Sequence, residues 1–172
     1  MAHIFSQKSD ININPALPPG TKVRIAYSPQ PLMLGGLTLP VIISTASAYL
    51  KTPGFNKSFA PSPTVMALFD TGASTTAIDI GLAKHLKLLP TGVSPNFTAA
   101  GLITMPTFAI DLLFRGGINP HRDLQIGSCK LNFNIAGNLN DPGNFGVLIG
   151  RDIMSRWNIV WNGPTSTVVI ND

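Results

Sequence analysis

The amino-acid sequence predicts a single, mostly β domain. Only 12% of its 172 residues are charged and glutamate is absent, so the chain lacks the Glu–Lys pairs that usually support exposed helices. Its 16 glycines and 15 prolines suit many short strands joined by turns, because proline is excluded from central strand positions. With 44% apolar residues, a chain of this length can bury one core.

The first part of the chain is predicted to hold an irregular arm followed by two paired strands. Prolines interrupt residues 1–36 repeatedly, which leaves room there for one short strand at 22–27. Residues 37–44 are a strong strand candidate, and residues 64–68 are a second apolar run. A long connection rich in proline and serine separates these two strands, and we expect them to form a hairpin.

Apolar residues at every second position predict further strands in the second half of the chain. The clearest case is 107–114, where four apolar side chains share one face. Residues 131–135 alternate in the same way, and 147–149 are a short apolar run typical of a buried strand. Alternation over 157–161 and the final run 167–170 complete the predicted set.

Two short helices are expected between these strands. Residues 75–80 continue extended, and the leucine spacing that follows favours a helix over 81–88, ended by Pro90. Residues 151–156 are long enough for a second short helix. The fold class expected from the residues is therefore all-β with one or two short helices.

Charge and cysteine content narrow the possible functions. The net charge is +4 and the sequence pI is about 9.5, but the lysines and arginines are scattered without a run, which argues against nucleic-acid binding. Cys129 is the single cysteine, so no intrachain disulfide can form and a reducing compartment is expected. The three histidines and Cys129 have no metal-ligand spacing, so we expect no metal.

The start of the chain has no basic region followed by an apolar one, and no stretch approaches the roughly 20 apolar residues that span a bilayer. We therefore expect a cytoplasmic protein that does not contact membranes.

A short acidic motif directly follows the apolar run 64–68. Its residues are Phe69, Asp70, Thr71, Gly72, Ala73 and Ser74. A carboxylate on a rigid turn of small residues can face a cleft, where Gly72 lets the backbone approach closely and Thr71 can hydrogen-bond across. This arrangement suits acid–base chemistry at Asp70.

A second motif occurs later in the chain. Residues 147–154 form an apolar segment followed by Gly, Arg, Asp and two more apolar residues. The two motifs, in this order, resemble the signature of the retropepsins, which are single-domain aspartic proteases. The resemblance covers about residues 37–170. It divides the chain into a Pro-rich N-terminal arm, 1–36, and a retropepsin-like aspartic protease domain, 37–172.

The resemblance implies a closed retropepsin-like β-barrel that forms a two-fold homodimer. Bilobal relatives carry two acidic motifs, whereas this chain has one, so a single chain supplies half a site. A two-fold dimer would bring the Asp70 carboxyl of each subunit together on the axis. The implied function is an aspartic endopeptidase that hydrolyses extended polypeptides at apolar sites, through a water activated by this pair and without a cofactor.

The resemblance also implies roles for individual residues. The catalytic carboxyl would be Asp70. The residues that support it on the turn would be Thr71, Gly72, Ala73 and Ser74. The residues of a mobile flap that closes over the substrate would be Thr98, Ala99, Ala100, Gly101, Leu102 and Ile103. The structural residues near the site would be Gly150, Arg151 and Asp152.

One departure from the retroviral pattern leaves other functions open. Ser74 and Thr75 stand where acidic residues commonly pair with the arginine of the second motif, so Arg151 is expected to pair with Asp79 or Asp152 instead. A catalytically inactive retropepsin-fold module that dimerises or binds peptides is the main alternative. A glycosidase that uses two aspartate carboxyls of one chain is a third.

Overall fold

In this computed structural model, the described residues form strands and two short helices. The structure describes residues 24–27, 36–46, 63–98, 101–114, 118, 120–131, 133–139, 141, 143–162 and 167–171. The strands are β1 (Arg24–Tyr27), β2 (Thr38–Thr45), β3 (Thr64–Phe69), β4 (Ala77–Asp79), β5 (Pro90–Thr98), β6 (Gly101–Phe114), β7 (His121–Cys129), β8 (Phe145–Ile149), β9 (Asn158–Asn162) and β10 (Thr167–Asn171). The helices are α1 (Ile80–His85) and α2 (Arg151–Met154).

Six strands close into a barrel. Hydrogen-bonded neighbours follow in the order β2-β3-β8-β4-β7-β6, and β6 pairs again with β2. Strand β5 continues the sheet outside the barrel by pairing with the first part of the long strand β6. The predicted all-β fold, with a closed barrel and short helices, is confirmed.

A smaller sheet of three antiparallel strands has the order β1-β10-β9. Its strand β1 lies within the predicted N-terminal arm, inside the short strand expected at 22–27. Residues Val168 and Ile170 of β10 are fully buried, so this sheet packs one face against the apolar core.

The alternating pattern of residues 107–114 produces the expected buried face. Phe108, Ile110, Leu112 and Phe114 all lie in the core. Their strand pairs with β2 in antiparallel register, and β2 pairs in turn with β3, from Thr38 opposite Leu68 to Ile42 opposite Thr64. The predicted hairpin of the first two barrel strands is confirmed.

The sheet contains two parallel pairings, and the pairing of β3 with β8 brings the two sequence motifs together. Strand β3 runs parallel to β8, with Phe69 opposite Ile149, and β4 runs parallel to β7. Because parallel strands end at the same edge of a sheet, the turn after β3 meets the start of α2 after β8.

The strand predicted at 131–135 is wrong. The described residues of this segment lie in a loop, where the Asn144 side chain accepts a hydrogen bond from Asn134 N (2.6 Å) and donates one to Asn134 O (2.9 Å). The amide of Asn144 thus satisfies the backbone groups that a neighbouring strand would otherwise bind.

The two helices are shorter than predicted. Asp79 caps α1 by accepting hydrogen bonds from Gly81 N (2.8 Å) and Leu82 N (3.0 Å), so the helix starts at the end of β4 rather than at Gly81. It ends before Lys87, whose φ of 53° is left-handed. Helix α2 is a single turn. Neither described helix is long or apolar enough to cross a membrane.

Candidate active site

Asp70 lies on a tight turn at the end of β3. Its backbone N–H donates to Ile149 O (3.0 Å), which ties the turn to the parallel neighbour β8. Its Oδ1 accepts a hydrogen bond from Gly72 N (2.8 Å), and its carbonyl accepts one from Ala73 N (3.1 Å). The carboxylate is half-buried, while Thr71 and Gly72 are exposed. The turn therefore presents one acidic group at the protein surface in a defined orientation.

Glycine at position 72 follows from this geometry. A Cβ at Gly72 would lie 3.0 Å from Asp70 Oδ1, which is too close for an ordinary contact between carbon and oxygen. A larger residue would push the carboxylate away from the amide that it binds.

The start of α2 is bonded to the same turn. Arg151 N donates to Ala73 O (3.0 Å), and Asp152 N donates to Ser74 O (3.3 Å). Here Nη1 of the Arg151 guanidinium also donates to Thr71 O (3.1 Å). The two motifs of the sequence are therefore one structural unit, joined by backbone and side-chain hydrogen bonds.

Thr76 connects the two motifs from within the core, and sequence reasoning missed it. Its N–H donates to both carboxylate oxygens of Asp152 (2.9 and 3.0 Å), and its hydroxyl donates to Asp152 Oδ1 (2.8 Å). That hydroxyl also accepts a hydrogen bond from Gly150 N (3.1 Å). The signal in the sequence is a threonine directly before the buried strand β4, where a hydroxyl needs a partner.

Gly150 is the point of closest approach between the motifs. A Cβ at this position would lie 2.4 Å from the carbonyl carbon of Thr75 and 2.8 Å from Thr76 N. No side chain fits there, so the glycine allows the backbone of the second motif to lie directly against the chain that follows the Asp70 turn.

The prediction that Arg151 pairs with Asp79 or Asp152 is wrong. Asp152 binds Thr76, and Asp79 caps α1 and also accepts from Leu131 N (2.9 Å). Within the described residues Arg151 forms no ion pair with either carboxylate, and its guanidinium binds the Thr71 carbonyl. A neutral turn without acidic residues at 74 and 75 leaves a backbone oxygen as the acceptor.

Strands β5 and β6 form the hairpin in which the flap was predicted. Their paired residues run out to Thr98 opposite Gly101, and Gly101 has a φ of +110°, which favours glycine. Leu102 and Ile103 are 60% and 40% exposed. Ala99 and Ala100 lie outside the described residues.

An aromatic cluster lies behind the turn. The ring of Phe69, the residue before Asp70, has its centroid 5.9 Å from that of Trp157. Trp157 also packs edge-on against Phe114 (5.1 Å) and His121 (5.3 Å). These contacts fix the end of β3 from the core side. Across the described part of the chain, no cluster of His, Cys and acidic side chains could hold a metal ion.

Comparison with known proteins gives no match at the level of sequence and a loose likeness in structure. No protein-family model matches the chain, and no curated protein is significantly similar to it. Among solved structures it resembles a retropepsin-like aspartic protease from Rickettsia conorii, with 11% identity and a TM-score of 0.43, over 88% of this chain and 93% of that one. A likeness this loose assigns no role to any residue.

Proposed function

We propose that the protein is an aspartic endopeptidase that acts as a homodimer. The observation that carries the proposal is the turn at Asp70, where a surface carboxylate accepts a hydrogen bond from Gly72 N (2.8 Å) on a backbone fixed by the second motif. A catalytic acid or base needs this kind of fixed orientation, because proton transfer depends on geometry as well as on acidity.

Each chain offers half of the acid–base pair that peptide hydrolysis needs. The carboxylate of Asp152, the other acidic group of the joined motifs, is occupied by Thr76. A second Asp70, supplied by a two-fold related copy, completes the pair, since residues near such an axis meet their own copies. Thr71 follows Asp70 on the turn and is exposed, and in the proposed dimer its hydroxyl bonds to the partner's turn.

The proposed reaction uses the pair with one shared proton. Two carboxyls a few Å apart do not ionise together, so one is protonated and one is charged. The charged carboxylate takes a proton from water, which attacks the peptide carbonyl, while the protonated carboxyl donates to the carbonyl oxygen. The carboxyl that took the proton from water then donates it to the leaving amine as the C–N bond breaks. The proton on the former carbonyl oxygen returns to the other carboxylate as the new carboxyl group of the product forms, so the pair again holds one proton.

The β5–β6 hairpin suits an extended peptide as substrate. Its backbone can pair with an added strand, and its exposed apolar side chains Leu102 and Ile103 suit apolar residues of the peptide on either side of the scissile bond. We propose that closure of this hairpin over the peptide excludes water from the reacting groups.

The test is the digestion of a mixed peptide library by the full chain and by an Asp70→Asn variant. The variant should lose activity by on the order of 100- to 10,000-fold while keeping its fold and dimer. Asp141→Asn is the matched control, because Asp141 is exposed and its side-chain bond to a described residue, from Gly143 N (2.8 Å), can also be accepted by asparagine. Full proteolysis by a folded Asp70→Asn dimer would refute the proposal.

Protein concentration provides an independent test. If two chains build the site, activity per chain rises with concentration until the dimer saturates. An activity per chain that stays constant while light scattering shows monomers would contradict the shared site.

A peptide-binding module without catalysis is the second candidate. Its support is the neutral pair Ser74 and Thr75, which leaves Arg151 bonded to a carbonyl instead of a carboxylate. Such a module would bind a statine-type transition-state analogue, or peptides of the library, without producing fragments. Mass spectrometry of the library after incubation separates the two candidates.

A further inference from the structure

One peptide group of the catalytic turn is held from both of its sides. The carbonyl between Thr71 and Gly72 accepts a hydrogen bond from Arg151 Nη1 (3.1 Å), and the N–H of the same peptide donates to Asp70 Oδ1 (2.8 Å). In a trans peptide the C=O and N–H groups point in opposite directions within one plane. The two hydrogen bonds therefore fix the orientation of a single rigid unit.

The guanidinium is itself placed by the turn that it contacts. Arg151 N donates to Ala73 O (3.0 Å), and the residue before it, Gly150, lies against Thr75. The Arg151 side chain is exposed and makes no ion pair within the described residues. The guanidinium donates to the Thr71 carbonyl, and no carboxylate of the described part of the chain forms an ion pair with it.

A charged donor on the carbonyl strengthens the donor at the other end of the peptide. Hydrogen bonds from ionised groups are stronger than neutral ones, and bonds arranged in a chain polarise one another. The Arg151 contact thus makes the Gly72 N–H a better donor to the Asp70 carboxylate. It also prevents the peptide from rotating away from that carboxylate.

We propose that Arg151 is a positioning residue, which orients and polarises the Thr71–Gly72 peptide so that its N–H stabilises the ionised Asp70 carboxylate. The consequence for catalysis rests on the proposed function, in which Asp70 must be ionised in one subunit. The consequence for the turn itself does not depend on that function.

The charged groups around this peptide are few. Strands β3 and β8, which deliver the two motifs, carry no charged residue. The turn contributes Asp70, and α2 and its end contribute Arg151, Asp152 and Arg156. Because Asp152 is engaged by Thr76, Arg151 is the cation bonded to the turn.

The test compares three variants of the full chain. Arg151→Met keeps the aliphatic stem but removes the charge and the donors, and Arg151→Lys keeps the charge with a smaller donor group. Arg156→Gln is the matched control, because Arg156 is also exposed, lies five positions further along the chain, and makes no hydrogen bond to the turn within the described residues.

The first readout does not use activity. Hydrogen exchange of the Gly72 amide, followed by NMR, should become about 10-fold faster in Arg151→Met, stay at the wild-type rate in Arg156→Gln, and be intermediate in Arg151→Lys. A wild-type exchange rate in Arg151→Met overturns the proposal. If that variant does not fold, the comparison of Arg151→Lys with wild type decides in the same way.

The second readout is the pH dependence of peptide cleavage. Arg151→Met should lower kcat by about 10- to 100-fold with little change in KM, and the acid limb of its pH profile should move to higher pH. A purely structural role would lower activity without moving that limb. If wild type cleaves nothing, the proposed function fails, while Gly72 exchange still decides the role of Arg151.

Discussion

The turn that carries Asp70 and the β5–β6 hairpin differ in how they are held. Hydrogen bonds join the turn to the second motif. They run from the backbone N–H groups of Arg151 and Asp152, and from the N–H and hydroxyl of Thr76 to the Asp152 carboxylate. The outer part of the hairpin, by contrast, projects beyond the barrel, and its residues 101–104 are all exposed. The hydrogen bonds between its own two strands hold it together.

Under the proposed function, this difference separates two tasks that a peptide-cleaving site needs. A group that transfers protons has to keep a fixed orientation, and the motif contacts give Asp70 that. A segment that admits and then covers an extended chain has to move, and segments with little buried apolar surface open at low free-energy cost. Changes to the turn should therefore affect stability, and changes to the hairpin should affect substrate binding.

Gly150→Ala should have the largest effect on the stability of the turn. The added methyl group would lie 2.4 Å from the Thr75 carbonyl carbon, and backbone on both sides cannot move apart without separating the motifs. We expect the free energy of unfolding to fall by about 3 kcal/mol or more, measured by urea denaturation.

Gly127→Ala is the control for this substitution. A Cβ at Gly127 would meet the Thr76 carbonyl oxygen at 3.8 Å, an ordinary contact. Its free energy of unfolding should change by less than about 1 kcal/mol. Equal losses of the free energy of unfolding in Gly150→Ala and Gly127→Ala would contradict a steric effect of the close approach at Gly150.

Thr76→Val should have the next largest effect. Valine keeps the shape of the buried side chain but removes the hydroxyl that binds Asp152 and Gly150. The unsatisfied partners should cost about 1–3 kcal/mol of stability. The same change at the exposed Thr75 should cost less than about 0.5 kcal/mol, and a result in which both variants are equally stable would contradict the network.

The fold was largely predictable because its signals are local. The alternation over 107–114 and the apolar runs at 37–44 and 64–68 each depend on neighbouring residues, and all three became barrel strands. The strand predicted at 131–135 failed because side chains beyond the segment bind its backbone: Asn144 binds the N–H and C=O of Asn134, and Asp79 accepts from Leu131 N. No periodicity within the segment carries that information.

The site was predictable only in part, for a related reason. The motif around Asp70 is contiguous in sequence, so its turn could be expected. The partner of Thr76 is 76 positions away, and the acceptor of Arg151 is a backbone oxygen, which no residue type encodes. Such contacts follow from the parallel pairing of β3 with β8, which the sequence did not reveal.

Leu102→Ala should change substrate binding and leave stability nearly unchanged, in contrast to the turn variants. Leu102 is 60% exposed on the hairpin, so its removal should change stability by less than about 0.5 kcal/mol. If the side chain contacts the peptide, KM should rise by roughly 4- to 15-fold, because about one to two methylene equivalents of burial are lost on binding. Steady-state kinetics and urea denaturation of the same preparation measure both effects.

Leu89→Ala is the matched control for Leu102→Ala. Leu89 is also 60% exposed, but it lies between α1 and β5, away from the hairpin end. Its KM should stay at the wild-type value. A KM that rises equally in both variants would indicate a general effect of losing a surface leucine. It would contradict the proposed binding of the peptide by the hairpin.

Cys129 extends the comparison to the barrel wall, where it ends β7 opposite Asp79 of β4. Burial, together with the negative charge of Asp79, raises the pKa of this thiol from its ordinary value of 9.0 to about 11. The thiol should therefore carry about 100-fold less thiolate at pH 8 than an ordinary cysteine, and iodoacetamide should react with it correspondingly slowly. Unfolding in urea should restore the ordinary rate.

The same shift gives stability a defined pH dependence. Between pH 9 and pH 11 the unfolded chain loses the Cys129 proton while the folded chain keeps it, so the contribution of this group is complete below pH 9 and is lost as the pH rises through that window. Cys129→Ala should remove this decline, and Asp79→Asn, which keeps an N-cap for α1, should reduce it. If Cys129 in the folded protein reacts as fast as in urea, the barrel wall does not shield its thiol, and the raised pKa is refuted.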